Sequence, residues 1–143
     1  MTKLRVGILA LSALVAGCAG YGSQQSAQAV RIEATPGMGV IYVVRTKPDL
    51  SYVPSQVTLD ERLIGTTYAG TYYRVEVPAG RHRLSGYGRD NNAITLDVHA
   101  DRVYFVHQTV AGSWRSPSSL SSFFKQVDEQ RGRALLARTL YAG

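Results

Sequence analysis

Cysteine is nearly absent from this chain, since Cys18 is the only one in 143 residues. A disulfide within the chain would need a second cysteine, so the fold has to depend on a packed core. Blocks of five or more like charges are also absent, which argues against a nucleic-acid-binding tail. The apolar run 6–16 is too short to span a membrane, because about eleven helical residues reach roughly 16 Å against a hydrocarbon core of roughly 30 Å.

The first residues have the order of a secretory signal. Lys3 and Arg5 precede the apolar run, and the small residues Ala16 and Gly17 follow it. This order predicts that residues 1–17 are a signal peptide that is removed. Removal takes away two basic residues and no acid, so the formal charge of the mature chain falls from +6 to +4.

The end of this segment, "LVAGC", resembles the lipobox of bacterial lipoproteins. The resemblance implies that Cys18 receives a diacylglyceryl group on its thiol, that cleavage precedes it, and that its new amine is acylated. Several acyl chains would make membrane attachment effectively permanent. Ala19 and Gly20 follow Cys18, where lipoproteins retained in the inner membrane commonly have Asp. The resemblance therefore implies the outer membrane, with the protein facing the periplasm.

Composition divides the rest of the chain into a tether and one domain. Residues 18–35 begin rich in Gly, Ser, Gln and Ala, which is typical of a flexible linker. Residues 36–143 contain short runs of β-branched and aromatic residues between turn residues, which predicts an all-β, antiparallel β-sandwich of about seven to eight strands. The predicted strands are 39–46, 55–60, 62–67, 71–77, 82–87, 93–99 and 102–110, with "FFKQV" a candidate for one more.

The C-terminal segment predicts a short helix over 129–138. Asp128 suits the N-cap position, acids lead and arginines trail, as the helix dipole prefers. Gly132 weakens the prediction by about 1 kcal/mol. We expect Leu135 and Leu136 to be buried and the helix to cover the second apolar face of strand 102–110.

Alternation in "TYYRVEV" and "HRLSGY" predicts a hairpin around the loop 78–81. Strand 93–99 should form a second hairpin with strand 102–110. The outward face of the first hairpin would then carry Tyr72, Arg74 and Tyr87. Tyrosine and arginine are enriched where proteins bind partners, so these three residues are the predicted binding patch. The alternative is that they simply cover the sheet.

The segment "VTLDERLIGTTYAGTYYRVEVPAGRHRLSGYG" resembles the PEGA-type β module, with its "IG", "PAG" and "H-x-L" positions. Together with "GVIYVVR", "DRVYFVHQTVAG" and "VDEQRGRALLA", it makes residues 36–140 similar to a bacterial lipoprotein family of unknown function with a PEGA-like β-sandwich. The family has no established catalytic residues, so the resemblance implies none here.

Catalytic and metal-binding signals are weak. His82, His99 and His107 could form an imidazole cluster, but the predicted register separates them, so no metal site and no cofactor is expected. The run "SPSSLSS" offers hydroxyls but lacks a Gly-x-Ser-x-Gly elbow, which favours a polar loop over a nucleophile. The chain is therefore not expected to be an enzyme.

These features predict a membrane-anchored cell-envelope lipoprotein with a non-catalytic structural or protein-interaction domain. The expected partners are the membrane, through the lipid on Cys18, and an envelope protein or glycan, but no nucleic acid. A small-ligand or glycan receptor is the alternative, and it would need a concave pocket with convergent polar groups.

Overall fold

A computed structural model describes residues 32–88 and 92–142. They form two β-sheets and one helix, which confirms the predicted all-β sandwich with a short C-terminal helix. The elements are β1 (Gly39–Arg45), β2 (Ser55–Leu59), β3 (Arg62–Thr67), β4 (Thr71–Val77), β5 (Gly80–Ser85), β6 (Ile94–Val98), β7 (Val103–Ser113), β8 (Ser116–Val127), α1 (Glu129–Leu136) and β9 (Leu140–Tyr141).

One sheet has five strands in the order β8-β7-β1-β4-β9, and the other has four in the order β3-β2-β5-β6. Most neighbouring strands are antiparallel, as predicted. Two pairs, β1 with β7 and β4 with β9, are parallel. Both parallel pairs join strands that are distant in the sequence, so no short-range turn signal could have indicated them.

The central strand β1 is buried on both faces. Its sequence "GVIYVVR" is a nearly continuous apolar run, which is typical of a strand covered on two sides. Ile41 and Val43 point into the sandwich, where they pack with Val57, Leu84 and other side chains of the second sheet.

The opposite face of the five-stranded sheet is covered by α1. Leu135 and Leu136 pack there beside Tyr42 and Phe105, as predicted for the helix. A Cβ atom on Gly132 would lie 2.1 Å from Phe105 Cγ, so only glycine lets the helix approach this closely. The side chain of Asp128 accepts a hydrogen bond from the N–H of Arg131, which confirms the predicted N-cap.

Both predicted hairpins are wrong. Strands β4 and β5 belong to different sheets, and so do β6 and β7. The segment at Pro78 therefore carries the chain across the sandwich, and β5 pairs with β2 and β6. Inward side chains of β4 and β5, such as Val75 and Leu84, meet across the core instead. Alternation predicted which faces were apolar but could not distinguish a hairpin from two strands packed face to face.

The prediction of a polar loop at "SPSSLSS" is also wrong, whereas the candidate strand "FFKQV" is confirmed. Strands β7 and β8 form a long hairpin whose turn contains Trp114 and Arg115, and the run "SPSSLSS" lies in β8. β8 is an edge strand, so its pairing with β7 rests on the backbone and tolerates Pro117 and many serines.

A buried polar layer closes one end of the sandwich. Gln108 is fully buried; its amide oxygen accepts from Thr67 Oγ1 at 2.6 Å and its amide nitrogen donates to Ser55 Oγ at 3.0 Å. Ser55 Oγ lies 2.9 Å from Ser122 Oγ, and the carbonyl of Thr67 accepts from Arg45. The layer therefore links both sheets by mutually satisfied polar groups.

Several predictions lie outside the described residues, among them the signal peptide 1–17 and lipidation of Cys18. The last part of the predicted tether 18–35 is described, and it contacts the domain. Ile32 packs on the helix-covered cluster, and Thr35 Oγ1 donates to Glu76 at 2.6 Å. Within residues 32–88 and 92–142, α1 is too short and too polar to cross a bilayer, and no other helix could do so.

Candidate functional site

Three large apolar side chains are exposed together at the end of the sandwich. Leu50, Tyr52 and Trp114 are 76%, 68% and 70% exposed, and we call them the apolar tip. They line one open groove of about 540 Å³ between the β1–β2 loop and the β7–β8 turn. Isolated exposed apolar residues are common, whereas a group around one groove often marks a binding surface.

The β1–β2 loop is held from beneath by Arg45, the last residue of β1. Its guanidinium is fully buried, pairs with the carboxylate of Asp49 and donates to the carbonyl of Ser51. It also donates to the carbonyls of Val53 at 2.8 Å and Thr67 at 3.2 Å. One planar cation thus satisfies several loop oxygens and fixes the backbone that presents Leu50 and Tyr52.

Asp49 connects this loop to the strand that leads to Trp114. Both its carboxylate oxygens lie 3.2 Å from the backbone nitrogen of Val110 in β7, which donates to them. The side chain of Asp49 is only 3% exposed, so its charge faces the protein. The two loops of the apolar tip are therefore fastened to the same buried ion pair.

The two serine hydroxyls along the groove accept hydrogen bonds within their own loops. Ser51 Oγ accepts from the N–H of Val53 at 3.2 Å, and Ser113 Oγ accepts from the N–H of Arg115 at 3.2 Å. The guanidinium carbon of Arg115 lies 5.6 Å from the centre of the Trp114 ring, which is cation–π distance. The surface is thus aromatic and cationic, and each of its two serine hydroxyls accepts one hydrogen bond that shapes a turn.

The predicted patch of Tyr72, Arg74 and Tyr87 is not assembled. Tyr72 is only 8% exposed, because its ring packs against Tyr42 and Tyr141 with centroids 5.9 and 5.4 Å apart. Burial, followed by the neighbouring tyrosines, raises the pKa of Tyr72. The outward face of β4 is covered by the C-terminal segment, and this cover removes Tyr72 from the surface.

The other two residues of the predicted patch lie apart. Arg74 donates to Glu76 at 2.6 Å on the outer face of β4, and also to Thr35 at 3.1 Å. Tyr87 follows β5 of the other sheet, where its N–H donates to Ser122 Oγ at 3.0 Å. Arg74 and the strand that Tyr87 follows are therefore in different sheets, and Arg74 is paired with Glu76 of its own strand.

His82 fastens the turn between β2 and β3. Its Nδ1 lies 2.7 Å from Asp60 Oδ2 and its Nε2 lies 2.8 Å from the carbonyl of Pro78. Both partners are acceptors, so both ring nitrogens donate and the imidazolium is favoured. Burial opposes the charged ring, but the hydrogen bonds to Asp60 and Pro78 outweigh it and raise the pKa of His82. Neither nitrogen is left to act as a base.

The remaining histidines lie elsewhere. His107 Nε2 is 3.2 Å from Thr46 Oγ1, and burial, with Arg131 next in effect, lowers its pKa. His99 follows β6, in the other sheet. Within the part of the chain that the structure describes, no three His, Cys, Asp or Glu side chains are grouped to hold a metal ion.

Leu50, Tyr52 and Trp114 were not among the site residues predicted from the sequence. A signal was nevertheless present, because bulky apolar residues stand inside the turn-rich segments "KPDLSYVP" and "GSWRSP". Such residues are costly to expose in a loop, so their placement there could have indicated a contact surface.

A scan against protein-family models, a search of curated proteins and a search of solved structures gave no match to this chain. The resemblance to the PEGA-type module therefore stays a prediction from the sequence.

Proposed function

We propose that this protein is a lipid-anchored component of the bacterial cell envelope whose β-sandwich is a non-catalytic interaction module. The "LVAGC" segment supports the anchor, because a basic start, an apolar run and a small pair precede Cys18 in the order that lipoprotein processing requires. The lipid would hold the domain at a membrane through the linker that follows.

The observation that carries the interaction role is the apolar tip on its buried support. Arg45 and Asp49 are removed from solvent at their side chains, with 0% and 3% exposed, yet the loop they fix turns Leu50 and Tyr52 outward. A loop without a contact role would gain stability by turning its apolar groups inward. The arrangement favours a rigid surface that awaits a partner.

The hydrogen bonding favours binding over catalysis. The protonated ring of His82 donates from both nitrogens to Asp60 and Pro78, and the hydroxyls of Ser51 and Ser113 accept from loop N–H groups. Nucleophile and base pairs need a side chain that can accept a proton near a substrate space. The serines beside the groove and His82 at the turn between β2 and β3 are instead engaged in shaping loops.

The anchor is tested by replacing Cys18 with alanine in the full chain. We expect complete loss of acyl labelling and release of the protein from the membrane pellet, because the thiol is the attachment atom. Ser23→Ala, five positions further on, is the matched control and should remain acylated and membrane-bound. Unchanged sedimentation and labelling of Cys18→Ala would contradict the lipoprotein proposal.

The address is tested by fractionation of membranes. With Ala19 and Gly20 after Cys18, we expect the protein with outer-membrane markers, facing the periplasm. Ala19→Asp should move it to the inner-membrane fraction while labelling at Cys18 persists. Recovery of the unaltered protein with inner-membrane markers would contradict this address but not the anchor.

A further inference from the structure

The apolar tip has the composition of a membrane-interface contact. Trp114 and Tyr52 are the residue types that concentrate where hydrocarbon meets water, since each combines an apolar ring with a polar edge. Leu50, the most exposed of the three, adds a purely aliphatic side chain at the same groove. On two fixed loops, the aromatic rings can lie among the headgroups while the aliphatic side chain reaches the acyl chains.

The charge around the tip complements an anionic lipid surface. The two loop segments 47–54 and 111–119 contain Lys47 and Arg115 as exposed basic residues. Their only acid is Asp49, whose carboxylate is 3% exposed and bonded to Arg45. Within these two segments, positive charge is therefore exposed without an opposing exposed carboxylate, and anionic headgroups attract such residues.

A soluble ligand fits the groove less well. Binding of a sugar or another polar molecule needs several convergent donors and acceptors. Ser51 and Ser113 each accept one hydrogen bond from their own loop, which fixes the hydroxyl within that loop, and much of the remaining lining is apolar, including Leu50, Val53 and Pro54. A fluid bilayer makes no such directional demand, because insertion at the interface rewards apolar area and positive charge.

We infer that the apolar tip docks onto an anionic lipid bilayer and orients the sandwich against it. The inference rests on the proposed function, since the acyl chains on Cys18 bring the domain to the bilayer in the first place. The tip then supplies a second, non-covalent contact, with Trp114 and Tyr52 at headgroup depth and Leu50 directed toward the acyl chains. Arg115 remains among the lipid phosphates.

Trp114 itself is the probe, because it is the only tryptophan in the chain. The mature acylated protein, which begins at Cys18, is reconstituted in vesicles of equal parts phosphatidylcholine and phosphatidylglycerol, with or without brominated acyl chains. We expect brominated lipid to reduce tryptophan emission about twofold, and the vesicles to protect the ring from acrylamide, as for an interfacial indole. The emission should also shift to shorter wavelength relative to the protein in a mild detergent that is removed on reconstitution.

Two variants test whether the whole tip is involved. Leu50→Ser with Tyr52→Ser keeps the probe and should abolish most of the quenching by brominated lipid. Leu63→Ser with Phe123→Ser is the matched control, because these side chains are 58% and 47% exposed but lie in β3 and β8, outside the groove. Quenching should persist in the control. Arg115→Gln should reduce quenching in anionic vesicles and make it similar to that in pure phosphatidylcholine.

Unquenched emission of acylated wild-type protein, with acrylamide access equal to that in detergent, would overturn the lipid-docking inference while leaving the anchor intact. A tryptophan response only to added soluble glycan fragments would overturn it in favour of a sugar site. Crosslinking from position 52 to an envelope protein, without bromine quenching, would likewise overturn it. Quenching that persists although Cys18 carries no acyl group would support the docking and reject the proposed anchor, so the two failures can be distinguished.

Discussion

Two loops flank strand β2, and a carboxylate fastens each of them in a different way. Asp49, in the loop before β2, accepts from the backbone of Val110 and from Arg45. Asp60, in the turn after β2, accepts from the backbone of Arg83 at 2.8 Å and from His82. The side chain of Asp49 is 3% exposed, whereas that of Asp60 is 47% exposed.

The difference shows how the choice of cation sets the character of a loop. Arginine stays charged at every accessible pH and its fork satisfies several acceptors, so it can be buried beneath a loop whose outer side chains are free to be apolar. Histidine loses its charge near neutrality, so its hold on Asp60 depends on pH. The Arg45–Asp49 pair therefore holds the first loop through a cation that is charged at every accessible pH. The His82–Asp60 pair, which we call the clasp, holds the second turn in a pH-dependent way.

The largest expected effect comes from removing the buried cation. Arg45→Met should lower the free energy of unfolding by about 3–5 kcal/mol, because Asp49 and the loop carbonyls are left buried without a donor. Urea denaturation measures the loss. Arg81→Met is the control, since that side chain is 77% exposed beside Asp97 and such pairs contribute about 0.2–1 kcal/mol. Equal losses in both variants would show that burial does not distinguish the pairs.

A substitution in the turn at Asp60 should instead raise the free energy of unfolding. Asp60 and Glu61 have φ angles of 49° and 68°, the left-handed region required at both central positions of a two-residue hairpin turn. Glu61→Gly should therefore raise the free energy of unfolding by roughly 1 kcal/mol. Arg62→Gly, one position later inside β3, should lower it instead. Destabilisation by Glu61→Gly in thermal unfolding would refute the strain at this turn.

The clasp at His82 should make stability depend on pH. Because the pKa of His82 is raised above 6.5, its contribution is complete below pH 6.5 and is lost as pH rises through the folded-state pKa. The pKa of Asp60 is lowered, first by the Arg83 N–H and then by His82, so its contribution is lost only as pH falls below 3.8. The clasp should be strongest between these limits.

His82→Gln should cost roughly 1 kcal/mol near pH 5.5, the usual net value of a hydrogen bond, and less near pH 9. His107 has a lowered pKa and acts with the opposite sign, since the unfolded chain binds its proton more readily and stability rises with pH. Unfolding curves of wild type, His82→Gln and His107→Gln, measured from about pH 5.5 to about pH 9, separate the contributions of the two histidines. A cost of His82→Gln that is constant with pH would rule out the clasp.

The smallest expected effect on stability is at the apolar tip. Leu50→Ser and Tyr52→Ser should each change the free energy of unfolding by less than about 0.5 kcal/mol, because these side chains project into solvent. Leu84→Ala, at a fully buried position, should cost about 2–5 kcal/mol by leaving a cavity. Substantial unfolding caused by the tip variants alone would show that these residues support the fold rather than a contact.

Much of the fold could be predicted from the sequence. Short runs of β-branched and aromatic residues located the strands from β1 to β7, and the cap at Asp128 located the helix. Which sheet each strand joins could not be predicted. Val75 and Leu84 pack in the same core cluster from opposite sheets, and two paired strands of a hairpin would place apolar side chains together in the same way. The C-terminal part of β8 was predicted as the candidate strand "FFKQV", but its serine-rich first part was missed, because an edge strand paired through its backbone can be built from serines without a period-two pattern.

Less of the candidate site could be predicted from the sequence. Tyr72 has the alternation of an outward residue, and the sequence could not indicate that Tyr141, from the far end of the chain, packs on it. The support of the apolar tip was hidden as well, since Arg45 resembles any charged residue that ends a strand. Its burial depends on Asp49 and on carbonyls contributed by residues beyond it, and such convergence is a property of the tertiary structure.

The double cover of β1 has a consequence for biosynthesis. Val40 pairs with Val103, and the outer face that contains Tyr42 is closed by α1, which begins at Glu129. A chain that emerges from its N-terminus therefore exposes "GVIYVVR" long before the segments that bury it exist. A product truncated before Glu129 would present this strand to solvent, and such apolar strands recruit chaperones, attract proteases and nucleate aggregates.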